Sequence, residues 1–442
     1  MGQVEHGFPP AGTAAYKAGE NASAPRQGQA EARHWRMLRP MEKTPSGPLR
    51  GLRVLDLTRV LAGPTCTQML GDLGAEVIKV ERPEAGDDTR GFAPPFWPET
   101  KESAYFLGVN RNKKSLTLDI ASPEGQAIIH QLLEGSDILV ENFKVGALAK
   151  YGLGYDQLKA RHPGLIYCSI TGFGQTGPYA PRPGYDSLIQ AMGGVMSLTG
   201  EPQGLPQKVG VPVADLFAGL YGCIGILAAL RHRERTGHGQ QVDIGMLDTH
   251  VAWLANQGMN YLATGANPER LGNQHPNIVP YQVFPTQDGH IVLSVGNDPT
   301  FERFCKATGQ QALLADPRFA TNAARVENRQ LVTDTLTPVM QSRTTTEWVD
   351  MLEAEKIGCG PINKLSEVFA DPHVQARHCV VELPHSSGQT VKVIANPVRL
   401  SATPADYRVA PPLLGEHSDE VLQGLLGMDE AEIARLRGKG II

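Results

Sequence analysis

The chain has 442 residues, about three times a common domain length, so more than one domain is expected. Hydrophobic residues make up 41% and charged residues 20%, which excludes a wholly disordered chain. The balance of 41 Lys and Arg against 46 Asp and Glu, a net charge of −5, argues against nucleic acid as a partner.

Residues 1–46 are rich in Gly, Ala, Pro, Gln and Glu with little apolar periodicity, and are expected to be a disordered extension or a remnant of expression. Folded sequence begins near Pro48. Leu52–Leu57 predicts a buried strand, Gly63-Pro64 a break, and Thr65–Leu73 a helix that Gly74 ends. Ala75–Glu81 and Ser115–Ile120 predict further strands, and Ser122 caps a helix that opens on Pro123 and runs to about Leu133. Asp137–Val140 and Leu165–Ile170 continue the alternation, which implies βαβ units and a parallel sheet. The fold class is α/β.

Beyond residue 171 Gly and Pro crowd Gly172–Gly184, and Asp215 then opens a long apolar helix to Leu230. Gly289–Val295 and Val391–Ile394 read as strands of a smaller α+β portion, and Glu416–Leu426 and Asp429–Arg437 as terminal helices. No apolar run approaches 18 residues, so neither a membrane span nor a membrane partner is expected, and the first residues lack a secretory signature. Cys66, Cys168, Cys223, Cys305, Cys359 and Cys379 form no CxxC pair and no zinc-finger spacing, which predicts reduced thiols in a cytoplasmic protein without a metal.

Gly172-Phe173-Gly174-Gln175-Thr176-Gly177 fits GxGxxG, but Pro178, Pro181 and Pro183 forbid the helix that a dinucleotide site needs there. GxxxxGK[ST], GxSxG and HExxH are absent. Arg82, Arg90, Arg111, Lys113 and Lys114 fall just after strands or in the loops between them; a parallel sheet binds ligands outside the carboxyl ends of its strands, and the cluster could grip a phosphorylated ligand there or be solvated loop charges. Asp215 lies where a helix N-cap is expected. The same place favours an ionised carboxylate, and an ordinary Asp, with a pKa of about 3.9, is available there as an oxygen nucleophile.

Leu55–Pro64 (LDLTRVLAGP), Gly71–Arg82 (GDLGAEVIKVER), Asn110–Ser115 (NRNKKS), Val140–Phe143 (VENF) and Gly172–Pro178 (GFGQTGP) together resemble class III CoA-transferases, the CaiB/BaiF type. Thr236–Asp243 and Pro412–Glu420 extend the likeness, which covers about residues 48–442. GDLGAEVIKVERPEAGDDTRG, PQKVGVPVADL and GNQHPNIVPYQVFP resemble the succinate–hydroxymethylglutarate branch in particular.

The resemblance implies a Rossmann-like CoA-binding domain over 47–245 completed by about 375–442, a linker over 246–271 and a small domain over 272–374. It also implies a homodimer of interlocked rings. Asp215 falls on the family nucleophile, which forms an aspartyl mixed anhydride and then an aspartyl-CoA thioester. Acyl-CoA is then a substrate rather than a resident cofactor, and no metal is needed.

Ala62, Arg82, Leu118, Asn142, Phe143, Lys150 and Tyr185 fall on CoA-lining positions of the family. Gly272–Asn277, including Gly272, Asn273 and His275, is the candidate loop for stabilising carbonyl oxygens. Arg59, Arg111 or His275 could meet the distal carboxylate of a dicarboxylic acid, and Asp186 could position substrate. Lys150 replaces an Arg of the formyl-CoA branch, Leu61 a Gln, and GNQHPN a tetraglycine loop, so oxalate is not the expected acid.

Two other readings stay open. An α-methylacyl-CoA racemase needs an acid/base pair; its imidazole is missing at Gly184-Tyr185-Asp186, with His162 nearby in sequence. A catalytically silent acyl-CoA-binding protein is the third reading, and retention of Asp215 speaks against it.

Overall fold

The structure is a computed structural model that describes residues 47–442; the expectation for residues 1–46 lies outside the described residues. Six strands, β1 (Arg53–Asp56), β2 (Glu76–Glu81), β3 (Lys113–Thr117), β4 (Ile138–Glu141), β5 (Ile166–Thr171) and β6 (Gln241–Gly245), pair in parallel. Their order is β3-β2-β1-β4-β5-β6, so the winding reverses between β1 and β4. The crevice outside the carboxyl ends of those two strands is where such sheets bind ligands.

Around this sheet run α1 (Ala62–Asp72), α2 (Ala104–Gly108), α3 (Pro123–Glu134), α4 (Tyr155–Leu158), α5 (Asp186–Met192), α6 (Val195–Leu198), α7 (Val213–Thr236) and α8 (Met246–Ala252). Alternate strand residues point to opposite faces. Val54, Val77, Val140 and Cys168 join α1 and α7, whereas Leu55, Ile78, Leu139 and Tyr167 join α3. Apolar runs without alternation are what burial on both faces demands.

Gly63-Pro64 is no break. Both residues lie in the first turn of α1, where proline forfeits no helical hydrogen bond. Ser122 caps α3 by accepting from Gly125 N at 3.0 Å. Contrary to the expectation that no segment could span a membrane, α7 is long and apolar enough by length and composition. Half of that stretch is buried, however, with Ala218, Cys223 and Ile226 in the core against α1 and the sheet.

The segment expected as a linker begins with α8, which packs on α7 and α5 rather than standing free. Next come α9 (Ala255–Thr264), β7 (Tyr281–Pro285), β8 (His290–Ser294), α10 (Asp298–Ala307), α11 (Asn322–Glu327), α12 (Arg329–Met340), α13 (Thr345–Ala354) and β9 (Gly358–Pro361). The three strands form an antiparallel sheet with its own core, centred on Phe284, Phe301, Phe304 and Trp348. After α14 (Leu365–Ala370) and α15 (Pro372–Ala376), the hairpin β10 (Val380–Pro384) and β11 (Thr390–Ile394) packs against Leu107 of α2. Finally α16 (Ser418–Leu426) and α17 (Glu430–Gly438) return to the α3 face, burying Val421, Leu422, Ile433 and Leu436.

Candidate active site

Asp215 is the third residue of α7 and not its cap; Pro212 holds that place without a side-chain bond. Among the described residues its carboxyl has no hydrogen-bond or ion-pair partner. The expectation of an ordinary, almost fully ionised carboxylate is corrected: burial, and then the nearby charge of Asp186, push it up to about 7.

Asp186 opens α5. One of its oxygens accepts from Ala214 N at 2.9 Å and the other from Gln190 Nε2 at 2.8 Å. Gln190 in turn accepts from Val209 N at 2.8 Å. Asp186 therefore clasps the segment that delivers Asp215. The Gly-rich loop makes this clasp reachable, because its two ends touch: a Cβ on Gly172 would lie 2.5 Å from Gly184 Cα. Gly172 and Gly184 thus serve a close backbone approach.

One turn along the same face from Asp215 is Gly219, where a Cβ would stand 2.6 Å from the Ala62 carbonyl oxygen. Thus the start of α1, at the β1 end of the crevice, lies against the helix that carries the candidate nucleophile. Along the carboxyl edge the structure strings Arg59 and Ala62 after β1, Arg82 after β2, Leu118 after β3, Asn142 and Phe143 after β4, and Tyr185 before α5. Asn142 bridges the reversal point: its Oδ1 accepts from Arg59 N at 3.0 Å and its Nδ2 donates to Arg59 O at 2.7 Å. Asp88 holds both exposed arginines, Arg59 at 2.9 Å and Arg82 at 2.8 Å. Lys150 is exposed above the Tyr151 ring, and Tyr185 is also exposed.

Several expectations need correction. Arg111 is buried; its Nε and Nη2 grip Asp72 at 2.9 and 2.5 Å, and its Nη1 donates to Ile394 O, so its guanidinium is committed inside the fold. Of the five cations read as a phosphate grip, Arg90 pairs with Glu81, Lys113 with Asp56 and Lys114 with Glu76; Arg82 pairs with Asp88 but is the most exposed of the five. Leu118 is a core residue, 2% exposed, and its side chain offers no surface to a ligand.

Burial and then Arg329 hold the His275 imidazole below the usual histidine range, and its Nδ1 accepts from Asn277 N. Its loop is moored by Gly272 N on Gly200 O at 3.1 Å, while Asn273 is exposed. His162 precedes β5 and Asp186 follows it, so the length of the strand, about 20 Å, parts the pair that the racemase reading would need.

Tyr105 is the residue that sequence reasoning missed. It lies on α2, exposed, edge-on to Phe92 with ring centroids 5.6 Å apart. Burial, and then the charges of Asp215, Asp186 and Asp87, push its phenol up to about 12, so the hydroxyl keeps its proton at neutral pH. No motif marks it.

The model of CoA-transferase family III matches residues 49–418. The chain is 49% identical over 382 residues to the succinate–glutarate CoA-transferase of Agrobacterium fabrum, covering 86% of this chain and 96% of that one. It is 44% identical to the succinyl-CoA:glutarate CoA-transferase of Mus musculus, covering 89% and 90%. A crystal structure of a CaiB/BaiF family protein from Brucella suis superposes with a TM-score of 0.76 at 46% identity, covering 86% of this chain and all of that one.

Proposed function

Because the chain belongs to CoA-transferase family III and is a CoA-transferase, we propose that it moves CoA between succinyl-CoA and a short dicarboxylic acid such as glutarate, with Asp215 as nucleophile. The names of the two relatives support the acids. The observation that carries the role of Asp215 is its carboxyl, half-enclosed at the head of α7 with no protein partner among the described residues.

The steps balance without ATP or metal. The ionised Asp215 oxygen adds to the acyl-CoA carbonyl and expels CoA thiolate, leaving an acyl–aspartyl anhydride. The thiolate attacks the aspartyl carbonyl, releases the first acid as carboxylate and leaves an aspartyl-CoA thioester. The acceptor carboxylate expels the thiolate again, forming a second anhydride. Attack of the thiolate on the acceptor's acyl carbon gives the new acyl-CoA and frees Asp215. Negative charge gathers on a carbonyl oxygen at each addition, where the Tyr105 hydroxyl and the backbone of the Gly272–Asn277 loop are the proposed donors.

Ala62, Arg82, Asn142, Phe143, Lys150 and Tyr185 are the proposed CoA contacts. Arg59 is the proposed partner of the distal carboxylate, because of the three candidates it alone keeps an exposed cationic head. The interlocked dimer is supported by apolar side chains left in the open on α7 and α9: Tyr221, Ile224 and Leu227, with Met259 and Leu262.

Intact mass after incubation with succinyl-CoA, with and without hydroxylamine, tests the reading. A CoA-sized adduct in the wild type that Asp215→Ala lacks is the expected result. A folded, CoA-binding protein that forms no adduct would overturn it.

A further inference from the structure

We propose that the buried Lys79–Asp87 ion pair is a positioning device for acyl-CoA binding: it holds Val60 in a left-handed turn, and that turn sets the β1–β4 crevice against the nucleophile helix. The proposal rests on the reading that this crevice receives CoA.

Val60 has a φ of 68°, a conformation that a β-branched residue adopts only at a cost in strain. The surrounding structure over-determines it. Lys79 Nζ and Asp87 Oδ2 are 2.8 Å apart with both side chains wholly buried. Asp87 Oδ1 accepts from Val60 N at 3.1 Å, and Lys79 Nζ donates to Thr58 O at 2.8 Å. Asp56 takes Thr58 N at 2.9 Å, and Asn142 takes both Arg59 N and Arg59 O. All five main-chain polar groups from Thr58 N to Val60 N are thus held by side chains and none by a sheet ladder.

Such a turn is expensive to build. A buried ion pair rarely gains net stability over an apolar substitute, and left-handed Val adds to that cost. What the turn achieves is placement. It presents Arg59 to Asp88 and Asn142, and two residues later delivers Ala62, whose carbonyl oxygen lies against Gly219 below Asp215. Asp87 also accepts from Thr89 N at 3.0 Å, so the same carboxylate fixes the segment bearing Asp88, which holds Arg82. One buried pair therefore registers three proposed CoA contacts, Arg82, Asn142 and Ala62, relative to the nucleophile.

Titration calorimetry of the full-length protein with CoA, together with steady-state kinetics, tests the proposal. Asp87→Ala is expected to weaken CoA at least tenfold, while kcat at saturating acyl-CoA falls less than threefold. Adding Val60→Gly to Asp87→Ala is expected to restore at least half of that loss on a logarithmic scale, because glycine takes the left-handed turn without strain. A general loss of packing would not be repaired by a glycine. Should the alanine variant not fold, Asp87→Asn keeps an acceptor for Val60 N but removes the charge facing Lys79, and the same pattern is expected at smaller amplitude.

A folded Asp87 variant with wild-type CoA affinity, or a loss that Val60→Gly does not repair, overturns the proposal. Arg82→Ala separates the two readings. If it weakens CoA while the Asp87 variants behave as wild type, only the positioning role falls; if it leaves CoA binding intact, the crevice is not the CoA site and both fall.

Discussion

Under the carboxyl edge of β1, β2 and β3, the charges of Asp56, Lys79, Glu81, Asp87, Arg90 and Lys113 are buried or nearly so, and each meets an opposite charge. At the head of α7, Asp215 and Asp186 stand close together, and neither bonds a cation among the described residues. Burial by itself would raise every one of these carboxyls. In the first region the lysines outweigh it and hold Asp56 and Asp87 below the usual range. In the second, nothing opposes burial, and Asp215 rises to about 7. Paired charges give the proposed binding edge a fixed shape; an unpaired carboxyl leaves the proposed nucleophile free to form a bond.

The sharpest way to break this contrast is to remove the unpaired charge. Asp215→Asn is expected to lower kcat by roughly 10⁴-fold or more, as loss of a nucleophile does. The same change is expected to stabilise the fold at alkaline pH. A carboxyl raised from its unfolded value of about 3.9 to about 7 contributes stability that is complete below pH 4 and lost as pH rises through 7. Asparagine does not titrate, so its advantage opens between pH 4 and 7 and stays constant above, at about 1–3 kcal/mol. Denaturant unfolding at pH 4.5 and pH 8 checks it; equal differences at both would show that Asp215 carries no such cost.

A buried pair at the other edge of the sheet, Asp72–Arg111, predicts the reverse sign. Asp72→Ala strands the Arg111 guanidinium in the interior, and should cost about 3–5 kcal/mol, read as a fall in melting temperature. In the protein that remains folded, KM values for mono- and dicarboxylic acceptors should keep their wild-type ratio, because the Arg111 guanidinium is taken up by Asp72 and Ile394 O.

Arg111 shows what a sequence conceals. Its position after a loop and before a strand was legible, but its partners lie 39 residues back in Asp72 and 283 residues ahead in Ile394. Strands β1 and β2, the Ser122 cap and the place of Asp215 at a helix start were legible because each is a local pattern. Strand β6 escaped because an edge strand, QVDIG, carries no apolar run. Tyr105 and the Val60 turn escaped for the reason Arg111 did, since their significance comes from carboxylates brought near only by the fold.

Asp186 has two roles at the head of α7, being both the like charge that raises Asp215 and the clasp on Ala214 N. Asp186→Asn keeps an acceptor for that N–H while deleting the charge. The acid limb of kcat/KM, expected at about pH 7 in the wild type, should therefore move to lower pH. A limb that stayed in place would mean that burial alone sets the Asp215 carboxyl.

The smallest effect is expected at Arg59, whose guanidinium is half exposed and shared with Asp88. An exposed ion pair is worth at most about 1 kcal/mol, so Arg59→Ala should raise KM for glutarate by roughly fivefold. Acetate or butyrate, with no second carboxylate to hold, should be used as before, and added salt should narrow the difference between variant and wild type. An equal rise for all acids would place Arg59 with the CoA contacts rather than with the acid. The binding edge would then hold only one substrate, and recognition of the second carboxylate would have to come from the Asp215 side of the crevice.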